Sequence, residues 1–179
     1  MTNWQITVDG QNFRRGMLTG ADLHLPCALG RCGVITEIEK REGDEKTPLG
    51  RFPVRRAFYR PDRQVAPVCH IPLLPLSPDM GWCDDSDSPA YNRMVRLPFA
   101  APHEKMWRDD ALYDLGLIIG HNDAPPLPGL GSAIFLHVAG RGSDGRFKPT
   151  RGCAAFDTQD MRRLIEFIMP DDFISIGAD

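Results

Sequence analysis

Ala133-Ile-Phe-Leu-His-Val138 is followed, after a polar glycine-rich loop, by Thr150-Arg-Gly-Cys-Ala-Ala-Phe-Asp157 and then by Thr158-Gln-Asp-Met-Arg-Arg-Leu-Ile165. The first run is almost wholly apolar and too short for a helix, so it predicts a buried strand. Asp157 has an oxygen that can cap a helix, and the acidic Asp160 stands three positions on. Met161, Leu164, Ile165 and Ile168 then fall at i, i+3, i+4 and i+7, one apolar face of a helix that must stop before Pro170. Strand, tight polar turn, helix: the arrangement puts His137 near the end of one element and Cys153 at the entrance to the next.

Working outward, strand patterns dominate. Trp4, Ile6 and Val8 alternate with polar residues up to Asp9-Gly10, which predicts a hairpin with Phe13 on the return strand. Val34, Thr36 and Ile38 continue the period of two, and a polar loop from Arg41 to Gly50 precedes a strand at Arg51-Phe-Pro-Val54. Between Pro61 and Pro102 prolines recur too often for a long helix, and Gly81 to Pro89 reads as an irregular acidic surface segment. A short helix is expected over His103 to Asp110. Leu115, Leu117 and Ile119 alternate along a strand ending at Gly120-His-Asn-Asp123, and Phe173, Ile174 and Ile176 suggest a last short strand. No repeat or linker interrupts residues 1–179, so the expectation is a single, mainly β domain.

Composition narrows the function classes. A formal net charge of −3 gives no global basic field for a polyanion, which argues against nucleic acid as a partner. No stretch approaches the ~18 apolar residues of a membrane span, and the N-terminal residues lack the basic start and apolar run of an export signal, so a cytoplasmic location is expected. The five cysteines are odd in number and contain no CxxC pair, which points to reduced thiols rather than disulfides or a zinc ribbon. His121, Asp123, His137 and Cys153 are residue types that suit zinc, but none are paired at a metal-binding spacing; no metal or cofactor is expected.

His137 and Cys153 form the chemically interesting pair. An imidazole can take a thiol proton to make the thiolate nucleophile, and a nearby imidazolium together with Arg151 would lower the thiol pKa. Gly152 lets the backbone approach a substrate, so the Gly152 and Cys153 amides are candidates for an oxyanion hole. Each residue also has a plain reading. Free cysteines are commonly small buried hydrophobes, the expectation for Cys27, Cys32, Cys69 and Cys83, and a lone histidine after Ile-Phe-Leu is more often a hydrogen-bonded core residue than a base.

The context of the pair resembles the L,D-transpeptidase (YkuD-like) catalytic domain. That family's pattern is a His, a loop of a dozen or more residues, then Ser or Thr, His, Gly, Cys. Here it reads His137, a loop, then Thr150-Arg151-Gly152-Cys153. Thr47-Pro-Leu-Gly-Arg-Phe52 is similar to the family's Thr-Pro-x-Gly-x-Phe segment, and a helix follows the cysteine where the family has one. The resemblance spans roughly Arg31 to Asp179. Arg151 replaces the motif's second histidine, and Ala154-Ala155 replaces an aliphatic residue followed by Arg or Asn. Gly81-Trp-Cys-Asp-Asp85, Pro89-Ala-Tyr-Asn-Arg93, Tyr113-Asp114 and Gly120-His-Asn-Asp123 resemble a proteobacterial branch of the superfamily.

The resemblance implies a β-sandwich or barrel with one helix after the nucleophile, and cysteine-dependent acyl transfer on peptidoglycan stem peptides or recycled muropeptides. Cys153 would be nucleophile and His137 general base. Arg151 and Arg141 flank the nucleophile loop as grips for a substrate carboxylate. His121 and Asp123 at a strand end, with Tyr91 and Asn92 in the long loop, are further substrate-binding candidates. With no export signal in view, hydrolysis of the bond before D-alanine, an L,D-carboxypeptidase activity in cell-wall recycling, is favoured. Cross-linking by an exported transpeptidase and a non-catalytic stem-peptide binding module are the alternatives.

Overall fold

The computed structural model describes residues 2–177. In chain order the strands are β1 (Asn3–Val8), β2 (Arg15–Gly20), β3 (Leu23–Ala28), β4 (Val34–Thr36), β5 (Thr47–Tyr59), β6 (Leu73–Pro75), β7 (Met80–Cys83), β8 (Met94–Arg96), β9 (His103–Lys105), β10 (Leu115–Ile119), β11 (Phe135–Val138), β12 (Ala154–Phe156) and β13 (Phe173–Gly177). The helix α1 (Thr158–Phe167) lies between the last two.

Strands β10, β11, β12, β3, β2, β1, β13 and β5 pair in that order, and β5 pairs again with β10. The sheet therefore closes on itself as a barrel, which leaves none of these strands with a free edge. β4 and β6 are added alongside β5. Alternation sorts the side chains. Trp4, Ile6, Leu18, Leu25, Phe52, Leu115, Leu117, Leu136, Val138, Ala154, Phe156, Ile174 and Ile176 share one buried cluster with Met161, Leu164 and Ile165 of α1.

A second cluster forms on the opposite face of β5, β10 and β11. Phe58, Ile118, Phe135 and Cys153 meet Met80 and Trp82 of a separate three-stranded sheet ordered β8-β7-β9. The ring of Trp82 stands edge-on to Phe135 at 5.0 Å between centroids. Each strand near Cys153 thus buries both faces, one toward the barrel cluster and one toward the small sheet.

The helix expected after Cys153 is present, and the Asp157 carboxylate accepts the Gln159 N–H at 3.0 Å as its N-cap. Four local expectations are corrected. Phe13 lies in the turn rather than on the return strand and is 60% exposed, because the hairpin closes through Asn12 and Arg15 with β2 starting at Arg15. His103 to Asp110 is not helical: His103–Lys105 pairs with β7, since cross-strand bonds to a buried partner outweigh local helix propensity. Gly81, Trp82 and Cys83 are buried in β7 rather than part of a surface segment, because Met80 and Trp82 supply apolar area the second cluster needs. The alternation at Val34 and Thr36 also ends before Ile38, which sits exposed in a short 3₁₀ turn.

Candidate active site

β11 and β12 run parallel with Leu136 opposite Ala154 and His137 opposite Ala155. Leu136 and Ala154 face the barrel cluster, so period-two alternation sends Phe135, His137, Cys153 and Ala155 to the other side. His137 and Cys153 are therefore diagonal neighbours on one face, and Ala155 beside the imidazole adds only a methyl group. Both line a single cavity of about 720 Å³ between the barrel and the small sheet.

The hydrogen bonds fix the state of each group. His137 Nδ1 lies 2.8 Å from the Val138 carbonyl, which can only accept. Nδ1 therefore carries the proton and Nε2 is the basic nitrogen. The Cys153 thiol donates to the Ala133 carbonyl at 3.2 Å, and its sulfur accepts the Phe135 N–H at 3.4 Å. Burial in this site pushes the thiol up to about 12, against the lowering effect of that amide. Burial likewise holds His137 down to about 4. The resting pair is thus neutral thiol and neutral imidazole. The expected lowering of the thiol by an imidazolium and Arg151 is not what the structure gives: Arg151 is largely exposed, with Nε 3.6 Å from a Glu45 carboxylate oxygen.

Two threonines lock the turn at Cys153. Thr150 Oγ1 donates to the Cys153 carbonyl at 2.7 Å and accepts the Gly152 N–H at 3.1 Å. Thr47 Oγ1 lies 3.4 Å from the same carbonyl and accepts the Gly30 N–H at 2.8 Å. Gly152 adopts φ 135°, and a Cβ there would approach the Lys46 carbonyl oxygen to 3.1 Å, so both conformation and space call for glycine. Because its amide is engaged by Thr150, Gly152 shapes the turn and does not supply an oxyanion donor. The Cys153 amide, which bonds to no acceptor among the described residues, retains that capacity.

Of the other candidates, only Arg151 reaches the cavity wall. Arg141 turns away, bonding the Asp157 carboxylate at 2.6 Å and the Gly145 carbonyl at 2.8 Å; the nearby carboxylate that caps α1 is the stronger local partner. Asp123 is taken by Arg55 at 2.7 and 3.2 Å. His121 is buried against the edge of Phe52 and bonds the Leu130 carbonyl at 3.0 Å, and burial lowers it to about 4. Tyr91 is buried with its hydroxyl between Glu42 and the Gly131 N–H. These four fasten loops rather than face the cavity. Among the remaining cysteines, Cys27 and Cys83 are buried as expected, but Cys32 is exposed and Cys69 intermediate.

Asn92 is buried and bonds at both ends of its amide, Oδ1 accepting from Trp82 Nε1 at 2.9 Å and Ala133 N–H at 3.0 Å, and Nδ2 donating to the His121 and Asn122 carbonyls. Its φ of 54° is a left-handed conformation that asparagine tolerates better than most residues. Asn92 thereby positions Ala133, whose carbonyl holds the Cys153 thiol. Asn92→Ala strands these buried partners and should cost about 2–4 kcal/mol, read as a shift in the urea unfolding midpoint. A change below about 0.5 kcal/mol would contradict this bracing role.

Sequence reasoning missed the cavity's polar wall, in which Tyr113 donates to Glu104 at 2.9 Å and Arg108 bonds the same carboxylate at 3.1 Å. Tyr113 also stands edge-on to His137 at 5.4 Å. Its position among the branch-like segments was a signal, but contact with His137 arises only once β10 and β11 pair.

The profile of the YkuD family, the L,D-transpeptidase catalytic domain, matches residues 5–176. The chain belongs to this family. No curated protein and no solved structure gives a match. The match begins well before Arg31, so the β1–β2 hairpin belongs to the YkuD domain, as its closure of the barrel between β3 and β13 requires. The mostly β architecture with one helix after the strands is that of a YkuD domain, and L,D-transpeptidase-family catalysis is the activity this membership brings.

Proposed function

We propose that Cys153 attacks the carbonyl joining the L-centre of a diamino acid to D-alanine in a peptidoglycan stem peptide, and that water completes the reaction. The observation carrying this reading is that Cys153 and His137 share one sheet face in one cavity. With the thiol up at about 12 and the imidazole down at about 4, the proton moves during attack rather than before it. The S–H turns from the Ala133 carbonyl to His137 Nε2 as the sulfur–carbon bond forms. The carbonyl oxygen then takes negative charge that the Cys153 N–H can stabilise. The carbon–nitrogen bond breaks, His137 returns the proton to the departing amine of D-alanine, and a thioester remains. Water, deprotonated by His137, hydrolyses it and frees the thiol.

Water is the acceptor that asks for no second peptide seat beside Cys153. A cavity of about 720 Å³ suits one peptide-sized ligand. The test is mass spectrometry of the protein incubated with a disaccharide-tetrapeptide. Tripeptide and D-alanine are expected; a covalently joined dimer would replace hydrolysis by transpeptidation, and no turnover would favour a stem-peptide binding module.

A further inference from the structure

A second cavity, of about 520 Å³, opens on the outer face of β1, β2 and β3. Register puts Thr7, Met17 and Pro26 opposite one another across these three strands. Their neighbours Ile6, Leu18 and Leu25 point into the barrel cluster, so alternation turns Thr7, Met17 and Pro26 outward as the floor of the cavity. The wall is a short hairpin in the segment between β11 and β12. Arg141 bridges Phe147, the Gly142 N–H donates to the Arg146 carbonyl at 2.8 Å, and the Gly145 N–H donates to the Gly142 carbonyl at 3.0 Å. Arg141, Arg146 and Phe147 line the second cavity, whereas Gly140, Lys148 and Pro149 line the one that holds Cys153. The hairpin is thus a partition, and neither Cys153 nor His137 lines the far side of it.

Cations gather at this cavity although the chain as a whole carries a formal net charge of −3. Arg15 stands two residues before Met17 on β2 and shares its face, and its guanidinium has no acceptor among the described residues. Arg146 Nε lies 3.8 Å from the Asp144 carboxylate, with both side chains largely exposed. Arg141 is committed to the Asp157 carboxylate and the Gly145 carbonyl, and its guanidinium lies 4.8 Å from the centre of the Phe147 ring. Asp9 is the one acid lining the cavity among the described residues, and its carboxylate accepts the Gln11 N–H at 2.8 Å. The charge left unmatched is positive, and it sits beside an apolar floor.

We infer that this cavity binds a small organic anion, a carboxylate carried on a flat aromatic body. Arg15 presents a fork of donors that a carboxylate can take two at a time. Phe147 offers its ring for stacking or edge contact, and Met17 offers a polarizable thioether that packs well against a ring. The volume falls within the roughly 300–1,000 Å³ that encloses one small molecule. An inorganic anion would leave the apolar floor in water, and a neutral aromatic would leave Arg15 unmatched. Only a ligand with both parts uses the whole site.

Calorimetric titration of the intact chain with naphthoate, and with the naphthamide of the same shape and no charge, tests the assignment. Naphthoate should bind with one-to-one stoichiometry and about fivefold more tightly than naphthamide. Arg15→Gln should erase that preference, and Met17→Glu, which puts a carboxylate on the floor, should weaken naphthoate about tenfold or more. Both side chains are exposed, so neither change disturbs the core. Absence of naphthoate binding at millimolar concentration overturns the inference, as does equal affinity for the two probes. Binding that persists unchanged in both variants overturns it too, because the probe then sits elsewhere. The comparison of probes changes only the ligand, and none of these readouts depends on the acyl-transfer chemistry proposed for Cys153.

Discussion

Cys153→Ala abolishes release of D-alanine from a tetrapeptide, with a loss of about 10⁴-fold or more in kcat, since removal of a nucleophile leaves only binding and oxyanion contributions. The expectation concerns chemistry more than folding. Replacing the sulfur by hydrogen removes the thiol's bond to Ala133 and opens little space in a wall that already faces a cavity. Mass spectrometry of the products, with circular dichroism as a control, checks it; continued tripeptide formation would refute the nucleophile assignment. Reactivity toward a general alkylating agent is a poor substitute. The buried thiol lies up at about 12, so without an acylating ligand the exposed Cys32 should be labelled before Cys153.

Replacement of His137 by Gln lowers kcat/KM by about 10²–10⁴-fold, the range of positioned acid–base assistance. The acid limb of the intact protein should then fall near pH 4, not near the ordinary histidine value of about 6.5. The sign follows from burial: protonating Nε2 removes the base, and burial delays that event to lower pH, so activity is flat from about pH 5 through neutrality. Stability moves in the same direction. His137 is depressed in the folded state, so its contribution is fully present above about pH 6.5 and is lost as pH falls through about 4. Rates are therefore taken after brief pH jumps, to separate the base from acid unfolding. An acid limb near 6.5 would show that the imidazole is solvated during catalysis.

Alternation along a strand and the helix period are local properties, and for that reason β1, β10, β11, α1 and β13 were legible before any contact was known. The Asp157 cap and the Met161, Leu164, Ile165 face needed only neighbours in sequence. His137 and Cys153 were legible as a pair because the segment between them is short and both lie at element ends. His103–Lys105 was not, since its strand state depends on β7, and β7 was itself obscured by the acidic residues that follow it.

The same limit governs the site. Residue types alone made Arg141, His121, Asp123, Tyr91 and Asn92 plausible substrate contacts, yet each already has a hydrogen-bond partner that only the folded chain reveals. The sequence by itself determined the strand-rich architecture, the capped helix, and the motif with Cys153 and His137 at its ends. Tertiary structure alone decided that Thr47 and Thr150 share the Cys153 carbonyl, that burial leaves thiol and imidazole neutral, and that Asp84, Glu104 and Ser132 line the cavity that holds Cys153. The physical reason is range. Propensity and periodicity act over a few residues, whereas desolvation and hydrogen-bond pairing depend on groups that meet only when the barrel closes and the small sheet covers its outer face.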